Sequence, residues 1–318
     1  MTGGCVRSKF GVTLGVYPNR SSPQNRFPEM ASQAEKQRIT EFLDRVRDQS
    51  ETKAKMVTLA ELSYIHGRKM ANGQKYSYAS NRNLIRDYRA AIKTAFGENS
   101  ALLHTMRYSD ARTDVYKAHQ AELREEKHRN VRPLDAEKFV EQALFLLGYT
   151  AHNQWSNAAA IAALCALTGR RPFEVACRGN FLPAPGSRHE VIFSGQTKTR
   201  DADRSMKAYT IPVLGDRELV LEAIDILRDQ IDPNLENKVF TQRYAKEFGI
   251  QSKRNFKDGN GEPLKPSDLR EAYAAVAQYE FCPKNVSQIQ YVCDILGHQV
   301  GSIQDTTIDY LGFYIENA

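Results

Sequence analysis

Cysteine is scarce and follows no pattern. Five cysteines, Cys5, Cys165, Cys177, Cys282 and Cys293, are scattered over 318 residues, with no Cys-x-x-Cys pair and no grouping with histidine. A disulfide framework and a Cys/His metal site are therefore excluded; Cys165 and Cys293 fall in apolar helical patterns, where a thiol is a small buried side chain. Long apolar runs are missing too, so no segment is expected to span a bilayer. The opening stretch, MTGGCVRSKFGVTLGVYPNR, carries charges where a secretory signal needs an unbroken apolar core. A cytoplasmic protein without membrane contact is expected. Nor is there a strong charge of one sign: the net charge is +6 and the isoelectric point about 8.9, too mild to name a polyanionic partner unless the charges are placed together. Hydrophobic residues make up 41%, enough for two globular domains with a core each.

Residues 1–30, rich in Gly, Ser, Pro and Arg, read as a mobile basic tail. A helical pattern then runs through 31–132. At KHRNVRPLDAEKF, Pro133 breaks the chain and Asp135 can cap a new helix, with Leu134 before the cap and Phe139 inside it forming a hydrophobic staple. The second domain, 133–318, is expected to begin with helices at about 135–147 and 153–167. A β-hairpin follows, HEVIFSGQTK with Val191 and Phe193 on one face and KAYTIPVL with Tyr209, Ile211 and Val213 on one face. Further helices are expected at about 216–230, 268–280, 285–296 and 305–316. The fold class is mainly α with a small antiparallel hairpin or sheet.

In the first domain, SNRNLIRDYRAAIKTAF places Leu84, Tyr88, Ala91 and Ile92 on one helical face. Arg82, Arg86, Arg89 and Lys93, spaced four, three and four apart, line up opposite, and Asp87 falls to the side. A solvated helix face is the ordinary reading of a charge run. Such faces mix both signs, however, because like charges at i,i+4 repel. Four cations without acids among them point to a phosphate backbone, and Arg68 and Lys69 in the preceding YIHGRKMANGQKYSY would extend that surface.

In the second domain, TGRRPFEV follows the apolar run NAAAIAALCAL. Gly169 stops the helix and Pro172 suits the first position of the next. Arg171 then stands at the positive end of a helix, where the macrodipole disfavours a cation. KPSDLREAYAAVAQ repeats the oddity, with Ser267 as cap and Arg270 in the first turn. A helix N-terminus and a guanidinium fork are both phosphate binders; salt bridges to Glu174 and Glu271 are the structural alternative. Lys198 lies at the hairpin tip, SGQTKTR. His298 follows the helix stop in CDILGHQ. The terminal helix, SIQDTTIDYLGFYIENA, has its apolar stripe at Ile308, Leu311 and Ile315; Tyr310 points away from it and Tyr314 lies nearer its edge.

In this order, TGRRPFE, TKTR, SDLR, LGH and a late tyrosine resemble the tyrosine recombinase superfamily. Within it the chain is most similar to the telomere resolvases, or protelomerases, over about 135–316. GRRPFE with GQTKTR, the DYLGFYI ending with its second tyrosine, and a His298-to-Tyr310 interval longer than that of ordinary integrases favour that branch. The resemblance implies that Arg171 and Arg270 clamp the phosphate, Lys198 protonates the leaving oxygen, His298 hydrogen-bonds the phosphate and Tyr310 is the nucleophile, while Glu174 orients the site. The family histidine that precedes the second arginine is replaced by Ser267, which can donate a hydrogen bond but cannot shuttle a proton as imidazole does. Implied too are a 3′-phosphotyrosine intermediate, no metal or other cofactor, and a homodimer acting in the nucleoid on double-stranded DNA with an inverted-repeat telomere site, leaving hairpin ends. The competing expectations are a conventional integrase exchanging strands between two duplexes, a type IB topoisomerase, and a DNA-binding protein with an inactive catalytic fold.

Overall fold

The computed structural model describes residues 32–152, 156–197, 206–298 and 310–316. The basic tail expected at 1–30 and the hairpin-tip Lys198 lie outside them. The chain divides into two compact units between His119 and Gln120.

The first unit is helical: α1 (Gln33–Arg47), α2 (Glu51–Gly67), α3 (Tyr78–Phe96), α4 (Ala101–Thr105) and the start of α5 (Asp110–Arg129). Ser32 and Glu35 close a capping box on α1, the Ser32 Oγ accepting from the Glu35 N–H at 3.2 Å and the Glu35 carboxylate from the Ser32 N–H at 2.8 Å. The core gathers Phe42, Ile65, Tyr88, Ile92 and Met106, and the expected α3 face of Leu84, Tyr88, Ala91 and Ile92 is buried in it. Glu61 sits inside that core because three donors meet it: Arg38 at 2.6 Å, Arg45 at 2.7 Å and the Tyr88 hydroxyl at 2.7 Å.

The second unit runs β1 (Arg132–Leu134), α6 (Ala136–His152), α7 (Asn157–Thr168), a π-helical turn (Glu174–Arg178), β2 (Asn180–Pro183), β3 (Glu190–Ser194), β4 (Tyr209–Pro212), α8 (Arg217–Asp229), α9 (Asn237–Asn255), α10 (Pro266–Phe281), α11 (Gln288–Leu296) and β5 (Phe313–Ile315). Asp135 caps α6, its carboxylate accepting from the Lys138 N–H at 2.9 Å, and Leu134 and Phe139 are both buried. Helix α7 is buried on every side from Ala158 to Thr168. Its alanines let α6, α8, α9 and α10 pack around it.

Strands β2, β3 and β4 form an antiparallel sheet. Val191, Phe193 and Ile211 point into the core, as their alternation requires. Strand β2 and helix α9 are additions to the expected elements, although Phe240, Tyr244 and Phe248 trace the apolar stripe of α9 at four-residue spacing.

Two expectations are corrected. Helix α10 starts at Pro266 behind Lys265, not at a Ser267 cap; Pro266 takes the first position and the Asp268 carboxylate accepts from the Lys265 N–H at 3.1 Å. Arg270 is therefore past the first turn, and the dipole argument for it lapses. The expected terminal helix over 305–316 is not helical at 313–315. Phe313, Tyr314 and Ile315 suit a strand, and they pair in parallel with Arg132, Pro133 and Leu134. Among the described residues no helix is long and apolar enough to cross a membrane.

Candidate active site

Two helix ends meet in the second unit. Helix α7 stops at Gly169 and α11 at Gly297, with φ of 64° and 67°, the left-handed conformation that glycine adopts without strain. A Cβ would drive Gly169 into the Tyr273 ring and Gly297 into Gln196 and Tyr209. The carbonyls left over at both ends are taken up by buried guanidinium groups. Arg170, only 1% exposed, donates to Thr168 O at 3.2 Å, to the Tyr209 hydroxyl at 2.5 Å and to Ile295 O at 2.6 Å. Arg270 donates to Gly169 O at 2.6 Å and Leu296 O at 2.9 Å. Helix C-termini carry partial negative charge, which is why two cations can be buried between them.

Glu174 supplies one full negative charge among these arginines. It is 0% exposed and accepts from the Thr197 N–H at 2.8 Å, the Thr197 hydroxyl at 2.7 Å, Arg171 Nη1 at 2.8 Å and the Arg171 backbone N–H at 3.0 Å. Burial pushes its carboxyl pKa up, but Arg170, Arg270 and Arg171 together overcome that and hold it at about 2. Arg171 also donates to Thr197 O at 2.7 Å. The strand end leading to Lys198 is thus tied to the first arginine. The salt bridge to Glu174, the structural alternative for Arg171, is present. The one for Arg270 is not: Glu271 pairs instead with Lys127 at 2.8 Å.

Burial and the charges of Arg170 and Arg171 lower the Arg270 pKa to about 10, and its Nε is buried without a hydrogen-bond partner. Its guanidinium carbon lies 5.6 Å from the Tyr310 ring centroid, and the His298 and Tyr310 rings are 5.0 Å apart. Helix α11 carries His298 just past its Gly297 stop, and Tyr310 stands three residues ahead of β5. Arg171, Glu174, Arg270, His298 and Tyr310 are thereby brought together. Ser267 is exposed, donating to Asp268 at 3.2 Å. The exposure expected of the two tyrosines is reversed. Tyr310 is partly buried against the core, whereas Tyr314 is 49% exposed on β5. Sequence reasoning missed Arg170, Gln196, Thr197 and Tyr209. Arg170 had a signal, since a second arginine beside a buried helix needs partners of its own.

In the first unit the stripe on α3 is less free than its spacing implied. Arg89 points to the carbonyls of Leu103 and Met106, Lys93 pairs with Glu98 at 2.5 Å and Arg86 lies 3.6 Å from Asp87. Arg68 is built into the unit, with Glu35 at 2.5 Å and Asn81 at 2.8 Å. Arg82, Arg86, Lys93 and Lys69 are exposed.

The family model of the telomere resolvase ResT/TelK catalytic domain matches residues 130–313. A protelomerase of Klebsiella oxytoca phage phiKO2 is 27% identical over 247 residues, 69% of this chain; the chain spans 37% of that relative's length. A variant of protelomerase TelA covalently complexed with substrate DNA is 25% identical, with a TM-score of 0.75 over 90% of this chain and 89% of that one. Protelomerase TelK complexed with substrate DNA, 21% identical with a TM-score of 0.57 over 90% of this chain and 59% of its own, shares the fold. With more than half of its length matched by that catalytic domain, and with Arg171, Glu174, Arg270, His298 and Tyr310 falling inside the match, the chain belongs to the telomere resolvase family.

Proposed function

We propose that this protein cleaves and rejoins DNA through a phosphotyrosine at Tyr310, converting a replicated telomere junction into two hairpin ends. The observation that carries the reading is the buried Arg270, with an unpartnered Nε and the Tyr310 ring beside it. A cation so placed is incomplete without an anion, and a phosphodiester in line with the phenol supplies one.

The tyrosine hydroxyl loses its proton as its oxygen bonds to phosphorus, and the bond to the 5′ oxygen breaks. Arg171, Arg270 and His298 stabilise the charge on the non-bridging oxygens. Lys198 donates the proton that leaves with the 5′ hydroxyl. That hydroxyl, turned back across the duplex, attacks the 3′-phosphotyrosine. Tyrosine departs, its proton is restored, and the hairpin is sealed. The intermediate conserves the phosphodiester, so no nucleotide hydrolysis is required. An inverted-repeat site cut on both strands calls for two copies related by a two-fold axis.

We assign residues 133–318 to catalysis and 31–132 to holding the flanking duplex, through Arg82, Arg86, Lys93 and Lys69. Arg68 and Arg89 would act by holding the helices that present those groups.

The test is incubation with circular DNA carrying the replicon's inverted repeat, followed by denaturation and quick cooling. Linear product that snaps back to duplex has covalently closed ends and supports the reading. Open ends, or joint products between two duplexes, would assign the same residues to an integrase.

A further inference from the structure

The first arginine of the GRR doublet has no part in the chemistry above, yet it is the more deeply buried of the two. Its three guanidinium nitrogens reach three places: Thr168 O at the end of α7, Ile295 O at the end of α11, and the Tyr209 hydroxyl on β4. Its guanidinium also lies 4.9 Å from the Phe193 ring centroid on β3. The Tyr209 hydroxyl passes the bond on, donating to Gln196 Oε1 at 3.1 Å. Gln196 in turn donates to Leu296 O and Gly297 O, both at 3.3 Å. Arg170 and Gln196 therefore hold the last carbonyls of the turn whose next residue is His298. Only glycine fits at position 297, because Gln196 and Tyr209 lie where a side chain would be.

We infer that Arg170, Tyr209 and Gln196 form a positioning unit that fixes the Gly297 turn and so aims His298 at the phosphate. The inference rests on the strand-transfer reading above. Lysine cannot replace Arg170, because one ammonium cannot reach two helix ends and a hydroxyl in a plane as a guanidinium does. Tyr209 is the testable member. Phenylalanine keeps the ring packed on Phe193 and removes only the hydroxyl that joins Arg170 to Gln196.

The experiment measures single-turnover formation of the covalent DNA adduct, with DNA affinity measured in parallel, for the full chain and for Tyr209→Phe, His298→Gln and the double variant. Tyr209→Phe is expected to slow adduct formation about tenfold at unchanged affinity, and the double variant to be within about twofold of His298→Gln alone, because residues acting through one another are not additive. Multiplying effects, or a wild-type rate for Tyr209→Phe, would overturn the inference. Arg170→Lys, if it folds, is expected to show the same dependence on His298. Absence of any adduct from the unaltered chain would instead sink the activity on which the inference rests.

Discussion

Tyr310 lies close to groups from two different helices: the Arg270 guanidinium carbon is 5.6 Å from its ring centroid and the His298 ring, just past the end of α11, is 5.0 Å away. Tyr314, four residues on, is exposed on β5 opposite Pro133. Tyr310→Phe is expected to abolish the covalent adduct while retaining DNA binding, and Tyr314→Phe to retain both. Denaturing gels of protein mixed with labelled duplex read the adduct directly. An adduct that survives Tyr310→Phe and vanishes in Tyr314→Phe would reverse the assignment.

Glu174 ties acid stability to the site. Its pKa falls from an ordinary 4.5 to about 2 on folding. A carboxylate with a depressed native pKa stabilises the fold fully above its unfolded value, and that contribution is lost as the pH drops through 4.5 towards 2; here it is about 3 kcal/mol. Urea titrations between pH 2 and 6 are expected to show this slope in the native protein and its reduction in Glu174→Gln. The variant should also be less stable at neutral pH, since three arginines lose their counter-charge.

Arg132 clamps the strand that follows Tyr310. It pairs with Asp268 at 2.8 Å and Asp258 at 3.4 Å, lies over the Phe313 ring at 4.5 Å, and donates its backbone N–H to Gly312 O at 3.0 Å. Arg132→Ala leaves Asp258 buried without this partner and is expected to cost about 2 kcal/mol, the half-open position of Arg132 moderating the loss. Hydrogen exchange at residues 313–316 should rise more than elsewhere in the unit. Equal protection in both proteins would remove Arg132 from this role.

The cations of α3 are expected to separate into two kinds. Arg82→Ala should lower the salt dependence of DNA binding by about one counterion at unchanged stability. Arg89→Ala should leave that slope in place and lower the melting temperature, because the carbonyls of Leu103 and Met106 lose their donor. Loss of slope in Arg89→Ala would return it to the DNA-facing set.

Regular repetition was readable in the sequence. Periodicity marked the buried face of α3, alternation marked β3 and β4, and the staple of Leu134 and Phe139 marked the start of α6. The motif boxes pointed to Arg171, Arg270, His298 and Tyr310. Of the features that escaped, three show why. Strand β5 is three residues long and acquires its identity from β1, far away in sequence, so local pattern favoured a helix instead. Ser267 is the better cap by propensity, but Pro266 and Asp268 set the helix start. The burial of Arg170 depends on carbonyls from two helix ends and a hydroxyl from a strand, a meeting that no local window contains.

The parallel pairing of β5 with β1 also bears on how the molecule is made. Arg132 faces Phe313, so nearly all of the second unit lies in the loop that this pair closes, and β5 can pair only after that whole loop has been made. A nascent chain still short of Ile315 already holds Arg171, Glu174, Arg270 and His298 but has nowhere to seat its phenol. On the proposed reading, strand transfer would begin only once synthesis has passed the residues of β5, and a polypeptide interrupted before them would lack it.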